Sequence, residues 1–242
     1  MRRIFIPRPR HTGDRAALEA SEVHYLRDVL RLAPGALIEV FDGEGGTREG
    51  RLVPAEDGGL LLELGPRCDA PAPAARVHLA FALARGDRPD LVVQKATELG
   101  AARLLPFEAE RSVVRLDRER GAERARRWQR IAAEAARQCG RADVPEVAAP
   151  APLLRVFAEA PPGFRTLVFF EGGGEPLAQA VDRSAAGHLL VVGPEGGFAP
   201  RELELALAAG ALLTTLGPRI LRFETAAIVA AALVQHLAGD LG

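Results

Sequence analysis

Apolar positions recur in two different ways along this chain, and the change falls near residue 70. Upstream, short apolar segments end at turn signals: Arg3–Ile6 before Pro7, Leu37–Phe41 before Asp42-Gly43, then Gly50–Pro54 and Leu60–Leu64. Asp42-Gly43-Glu44-Gly45-Gly46, between two such runs, predicts a hairpin connection. One helix interrupts the strands, with Ser21 as N-cap, His24–Leu32 following, and Pro34-Gly35 ending it. The stretch Gly65-Pro66-Arg67-Cys68-Asp69-Ala70-Pro71-Ala72-Pro73-Ala74-Ala75 reads as a stiff linker. Residues 1–70 are therefore expected to form a small β-rich domain and residues 76–242 a second, larger one.

Downstream, strand and helix patterns alternate. Val77–Ala84 is a near-continuous apolar run, followed by a helical segment from Pro89 to Leu99 and a strand at Arg103–Pro106. Arg118–Cys139 predicts a long arginine-rich helix with Trp128, Ile131, Ala132 and Ala135 on one face. Leu167–Phe170 and His188–Val192 are apolar strands, Arg201–Ala209 is helical, Ala211–Leu216 is a strand and Glu224–Leu237 a closing helix. Strands that are apolar throughout and alternate with helices imply a mostly parallel α/β sheet covered on both faces.

Composition narrows the class. The chain has 242 residues and is 48% hydrophobic, enough for a sizeable core and incompatible with disorder throughout. Net charge is −1, so no bulk positive field marks a polyanion partner. Locally the picture differs: residues 1–31 carry seven basic and four acidic groups, and residues 103–141 eleven and six. All but one of the basic residues are arginine (Lys95 is the exception), a side chain that grips phosphate bidentately. Two cysteines, Cys68 and Cys139, fit neither a metal spacing nor a disulfide framework. The basic start lacks a signal-peptide apolar stretch, and the most apolar later segment, Ala226–Val234, is about half a membrane span. A cytoplasmic protein with neither membrane nor metal attachment is expected.

Three loops can carry chemistry: Phe170-Glu171-Gly172-Gly173-Gly174, Gly193-Pro194-Glu195-Gly196-Gly197-Phe198, and Leu216-Gly217-Pro218-Arg219-Ile220-Leu221-Arg222-Phe223-Glu224-Thr225. Each follows an apolar strand, where ligands of open α/β sheets bind. Glycine there lets backbone groups approach a ligand, although any single loop could be a mere connection. No GxxxxGK[ST], HExxH or GxSxG occurs, and Arg85-Gly86-Asp87-Arg88 stands where a dinucleotide GxGxxG would be.

These segments are similar to those of a known family. GPEGGF at Gly193–Phe198, LGPRILRFETAA at Leu216–Ala227, QKATELG at Gln94–Gly100 and EAARQCGR at Glu134–Arg141 resemble the RsmE family, SPOUT-class methyltransferases of N3 of a uridine in 16S ribosomal RNA. RRIFIPRPR and HYLRDVLRLAPG (His24–Gly35) resemble that family's PUA-like RNA-binding module. The resemblance implies a PUA-like β-barrel, an α/β domain with a trefoil knot, a homodimer, S-adenosyl-L-methionine as cofactor and 16S rRNA in the small ribosomal subunit as substrate. A sibling SPOUT reaction on ribose 2′-O or on tRNA, or a non-catalytic RNA-binding assembly role, would use much of the same chain.

On that resemblance the cofactor residues are Phe170, Glu171, Gly172, Gly193, Pro194, Glu195, Gly196, Gly197, Leu216, Gly217, Ile220, Leu221 and Arg222, with Leu216, Ile220 and Leu221 around adenine. Arg222, with Arg219 behind it, is the candidate to hold an anion developing on the uracil ring. Glu195 could accept a proton, orient an arginine or cap the helix after Pro200. Arg8, Arg10, His24, Arg27 and Arg31 are the RNA candidates, with a charged outer helix face as the ordinary alternative for the last three. Glu134, Gln138 and Arg141 share a helix face that could approach the site or simply end the helix. Lys95 and Glu98 could pair with each other, and His78, His188 and His236 read as structural.

Overall fold

The computed structural model describes residues 2–55 and 59–241, so the outermost residues of the two expected domains, Met1 and Gly242, lie outside the described residues. The chain divides into two compact units, Met1–Pro71 with Ala136–Val144, and Ala72–Ala135 with Pro145–Gly242. A single break near residue 70 misses the return of 136–144 to the first unit. The reason is local: Ala136 and Ala142 pack on Phe41, with Phe5 and Val144 beside them.

In the first unit, strands β1 (Arg3–Phe5), β2 (His11–Thr12), β3 (Arg15–Ala17), β4 (Leu37–Phe41), β5 (Gly46–Pro54) and β6 (Leu60–Asp69) form one sheet in the order β1-β4-β5-β6-β3-β2. Every pairing is antiparallel except β1 with β4. The expected hairpin joins β4 to β5, with Asp42 buried beneath it. Its carboxylate accepts the N–H groups of Glu44 and Gly46, each at 2.8 Å, and the Arg67 Nε–H at 2.9 Å. Burial alone would raise this carboxyl; those donors bring it below its ordinary value instead.

Two expectations need correction here. The helix α1 (Ala20–His24) starts after Glu19, not Ser21, because the Glu22 carboxylate reaches back to the Glu19 N–H at 2.7 Å. It passes into a π-helical turn at Tyr25–Val29 and stops, with Arg31 at φ 53°, so the helix does not reach Leu32. The wide turn lets Leu26 and Leu32, at 0% and 7% exposure, enter the same core. The expected linker is also shorter, since β6 continues through Gly65-Pro66 to Asp69. The register slips between Arg48 and Gly50, opposite Gly65 and Pro66, and at such an irregularity a proline removes no ladder bond.

The second unit is a parallel sheet between helices. Its strands are β7 (Val77–Ala82), β8 (Arg103–Glu108), β9 (Glu146–Val147), β10 (Ala151–Pro152), β11 (Phe164–Phe169), β12 (Glu175–Pro176), β13 (Gly187–Val192) and β14 (Leu212–Thr215). They lie in the order β10-β8-β7-β13-β11-β14-β12, with β9 also on β8. The helices are α2 (Arg88–Glu98), α3 (Arg118–Cys139, whose residues from Ala136 on belong to the first unit), α4 (Leu153–Ala158), α5 (Leu177–Ala180), α6 (Pro200–Ala208) and α7 (Phe223–Ala238). Val77, Leu79, Leu167, Val168 and Leu189–Val191 are fully buried, as expected of strands covered on both faces. The apolar face of α3 is seated by Trp128, whose ring meets Phe81 edge-on at 5.8 Å while its Nε1–H donates to Asp90 at 2.9 Å. Among the described residues no helix is long and apolar enough to cross a membrane.

Candidate active site

Strands β13, β11 and β14 are neighbours in the sheet, all parallel, so the loops after Val192, Phe169 and Thr215 emerge side by side. Together with the start of α7 they enclose a cavity of about 240 Å³. Its walls are Phe169, Phe170 and Glu171; Val192 through Phe198; Thr215, Leu216, Gly217, Arg219, Ile220 and Leu221; and Phe223 with Ala226. The structure thus brings together Phe170, Glu171, Gly193, Pro194, Glu195, Gly196, Gly197, Leu216, Gly217, Arg219, Ile220 and Leu221. It leaves Gly172 and Arg222 outside the walls. Gly172 lies under the Phe170 ring, which fills the space a side chain would need. Arg222 is exposed and sits in extended backbone as N-cap of α7.

The glycines are needed for packing within the loops. A Cβ on Gly193 would stand 2.8 Å from the Phe198 ring. Gly197 has φ 67°, and the Glu171 carboxylate occupies the space its Cβ would take. The result is a cradle with backbone rims over an apolar floor of Phe169, Val192, Leu216, Leu221 and Ala226. Such a donor set suits an adenosine-containing ligand: a flat ring against apolar walls and polar edges facing main-chain groups.

Three side chains that the sequence did not single out hold this cradle. Arg88, at the start of α2, forms an ion pair with Glu195. Arg111 donates from Nη1 to the Gly196 carbonyl at 3.1 Å. Glu202, 7% exposed, accepts the Ala199 N–H at 2.8 Å and the Glu110 N–H at 2.9 Å. A Glu two residues after a Pro that opens a helix is a readable capping signal, and it identifies Glu202 rather than Glu195 as the cap of α6. The arginine contacts join residues about 85 to 107 positions apart and carry no local signature.

The five RNA candidates lie in the first unit, most of them with acidic partners. Arg8 pairs with Glu44 at 3.0 Å; Arg10 pairs with Glu22 at 2.6 Å and with Glu19 at 3.1 Å. His24 and Arg27 share Asp28, at 2.8 Å and 3.1 Å, and Arg27 first and then His24 hold that carboxyl below its ordinary range. Arg31 is exposed in the left-handed conformation. Lys95 and Glu98 pair at 2.8 Å, and Arg141 pairs with Asp143 at 2.5 Å. Glu134 and Gln138 are exposed on α3. His188 accepts the Asp182 N–H at Nε2, and His78 lies against Phe164 at 4.7 Å. Among the described residues no group of His, Cys, Asp or Glu could hold a metal ion.

Comparison with known proteins agrees with this architecture. A family profile described as an RNA methyltransferase domain matches residues 70–235, and one described as an RNA methyltransferase PUA domain matches residues 18–65. The ribosomal RNA small subunit methyltransferase E of Mycobacterium bovis is 35% identical over 230 residues, 93% of this chain and 88% of the relative. That of Bacillus subtilis is 30% identical over 247 residues, 98% and 96% of the two chains. A crystal structure of ribosomal RNA small subunit methyltransferase E from Neisseria gonorrhoeae, bound to S-adenosyl methionine, superposes with a TM-score of 0.88 at 32% identity, covering 100% of both chains. A putative methyltransferase from Legionella pneumophila in complex with the same cofactor gives 0.86 at 29%, covering 97% and 96%. The fold and site therefore define an RNA methyltransferase with an N-terminal PUA domain. Within that class the chain belongs to the ribosomal RNA small subunit methyltransferase E family.

Proposed function

We propose that this enzyme methylates N3 of a uridine in 16S ribosomal RNA of the small subunit, with S-adenosyl-L-methionine as methyl donor. The observation that carries this reading is the meeting of three glycine-bearing loops, from three adjacent parallel strands, on one cavity in a chain of this family. Bound there, the cofactor supplies a methyl group activated by its sulfonium. The chain's own residues do the rest. Main-chain groups of Gly193–Gly197 and Leu216–Leu221 bind and bend the ligand, with Leu216, Ile220 and Leu221 against the adenine.

The N3–H of uridine is a poor nucleophile until its proton leaves, and the charge then spreads onto O2 and O4. A fixed guanidinium near those oxygens stabilises the anion as it forms. Arg219, in the cavity wall, is the first candidate for that position, and Arg222, three residues on, the second. Glu195 is already bonded to Arg88, which favours an orienting role over proton acceptance. Arg8, Arg10, His24 and Arg27 would grip flanking RNA phosphates by exchanging their carboxylate partners for phosphate, with the exposed Arg31 beside them.

A trefoil-knotted chain path, a homodimer and a cytoplasmic location belong to the same reading. Ile220 is 86% exposed and Leu233 41%, which supports a second copy as cover for this region. Light scattering should report twice 25.8 kDa; a fully active monomer would refute the dimer. Calorimetric titration with S-adenosylmethionine and with NAD tests the cofactor, and binding of NAD alone would refute it.

A further inference from the structure

The loop after β8 is braced by its own bonds. The Ala109 N–H donates to Ser112 Oγ at 3.1 Å, the Leu116 N–H to Glu108 Oε1 at 3.0 Å, and Arg115 to the Glu110 carbonyl at 2.9 Å. Ser112 is 8% exposed and the neighbouring Phe107 fully buried, so this segment is anchored in the core. It meets the cofactor cradle at three points. Phe107 stacks parallel to Phe198 with ring centroids 6.4 Å apart. Arg111 donates to the Gly196 carbonyl at 3.1 Å. Glu202 bridges the two segments with its two oxygens, one accepting from Glu110 and the other from Ala199.

We propose that Arg111 and Glu202 are positioning residues that lock the Gly193–Phe198 loop, through the braced segment 108–116, into the shape that receives the methyl donor. Neither side chain is among the cavity walls, so neither acts by touching the ligand. Arg111 fixes the direction of the Gly196 carbonyl, and with it the peptide plane that presents the Gly197 N–H to Pro194 at 2.9 Å. Glu202 is buried, and both its oxygens are used by main-chain donors, so an amide cannot replace it: its NH₂ would face an N–H. The inference rests on S-adenosylmethionine being the ligand of this cavity.

Arg111 is exposed, so its removal leaves the core intact and the variant folds. The test measures S-adenosylmethionine affinity by calorimetry, thermal midpoint, and KM for small-subunit RNA in the wild-type chain and in Arg111→Ala, Arg111→Lys and Glu202→Gln. Loss of one charge-assisted hydrogen bond corresponds to about a tenfold change in affinity. Arg111→Ala should weaken cofactor binding about tenfold, leave the RNA KM within twofold and leave the thermal midpoint nearly unchanged. Arg111→Lys should recover part of the affinity, because an ammonium can still donate to the Gly196 carbonyl. Glu202→Gln should weaken binding at least as much as Arg111→Ala. Cofactor affinity within twofold of wild type in both Arg111→Ala and Glu202→Gln would overturn the proposal. So would a raised RNA KM with unchanged cofactor affinity in Arg111→Ala, which would make Arg111 a substrate contact. A wild-type chain that does not bind the cofactor would overturn the reading on which the proposal rests.

Discussion

Replacing Gly193 by alanine puts a methyl group where the structure has no room for one. Its Cβ would stand 2.8, 3.0 and 3.1 Å from three atoms of the Phe198 ring. That ring cannot swing aside, being 5% exposed and stacked within 8° of parallel on Phe107, which is fully buried. The loop must therefore move instead, and it is the loop that lines the cavity. Relieving an overpacked contact of this kind costs about 1–3 kcal/mol. If that cost falls mainly on the ligand-binding shape, cofactor affinity drops about 5- to 150-fold. Gly196→Ala is the milder comparison, since its Cβ comes no nearer than 3.3 Å to Arg111 Cβ; that atom is fixed to the braced segment, so a smaller loss is expected there. Calorimetry on the two variants, with melting curves alongside, reads the difference directly. Gly193→Ala binding within twofold of wild type, with an unchanged melt, would refute the claim that Phe198 packing shapes the site.

Other expectations follow from single contacts. Burial first, and then Arg103 and Arg76, push the His78 imidazole down from 6.5 to about 4, so it folds neutral. The unfolded chain takes up this proton below about pH 6.5 and the folded chain does not until about pH 4. Stability is therefore complete above that window and falls through it by up to about 3 kcal/mol. Urea unfolding of wild type and His78→Phe at several pH values checks this; equal slopes with pH would contradict it. Trp128→Ala, at a site 1% exposed, should cost about 3–5 kcal/mol by chemical denaturation, and a loss below about 1 kcal/mol would refute the anchoring of α3. Arg219→Ala and Arg222→Ala should each lose turnover, about 10²–10³-fold for whichever holds the uracil anion, with cofactor affinity kept. Near-normal turnover in both would remove arginine from that role. Arg27→Ala should weaken RNA binding and flatten its salt dependence, and an unchanged salt slope would place the RNA elsewhere.

Much of the architecture was legible because it follows local chemistry. The parallel strands β11 and β13 carry the apolar runs Leu167–Phe169 and Leu189–Val192, β14 opens on Leu212-Leu213, and each is followed by glycine within three residues of its carboxyl end, so much of the site's backbone could be read directly. Helix α3 has the bounds its sequence predicts, Arg118–Cys139, and Trp128, Ala132 and Ala135 of its expected apolar face are buried. What was not legible depends on distant partners. The helices α4 and α5 have six and four residues, too short for a period to declare itself, and the two-residue strands β9, β10 and β12 exist only through their neighbours. Pro66 looked like a linker residue, and only the irregular pairing with β5 admits it to a strand. Likewise Arg88 and Arg111 stand among many arginines, and nothing in their own neighbourhoods tells that they reach the loop at 193–199, whereas the bond of Glu202 to Ala199 is readable from its place two residues after Pro200. Arg222 shows the converse: its spacing of three from Arg219 suggested one shared pocket, but the extended backbone before α7 leaves only Arg219 in the cavity wall.

The measurement closest to the central claim is transfer of labelled methyl from S-adenosylmethionine to small ribosomal subunits isolated from a strain lacking this activity, with the modified nucleotide mapped by mass spectrometry. The account predicts stoichiometric label in 16S RNA, on N3 of a single uridine, abolished or strongly slowed when Gly193 is alanine. Label on a ribose 2′-oxygen, on transfer RNA, or no label at all would contradict it.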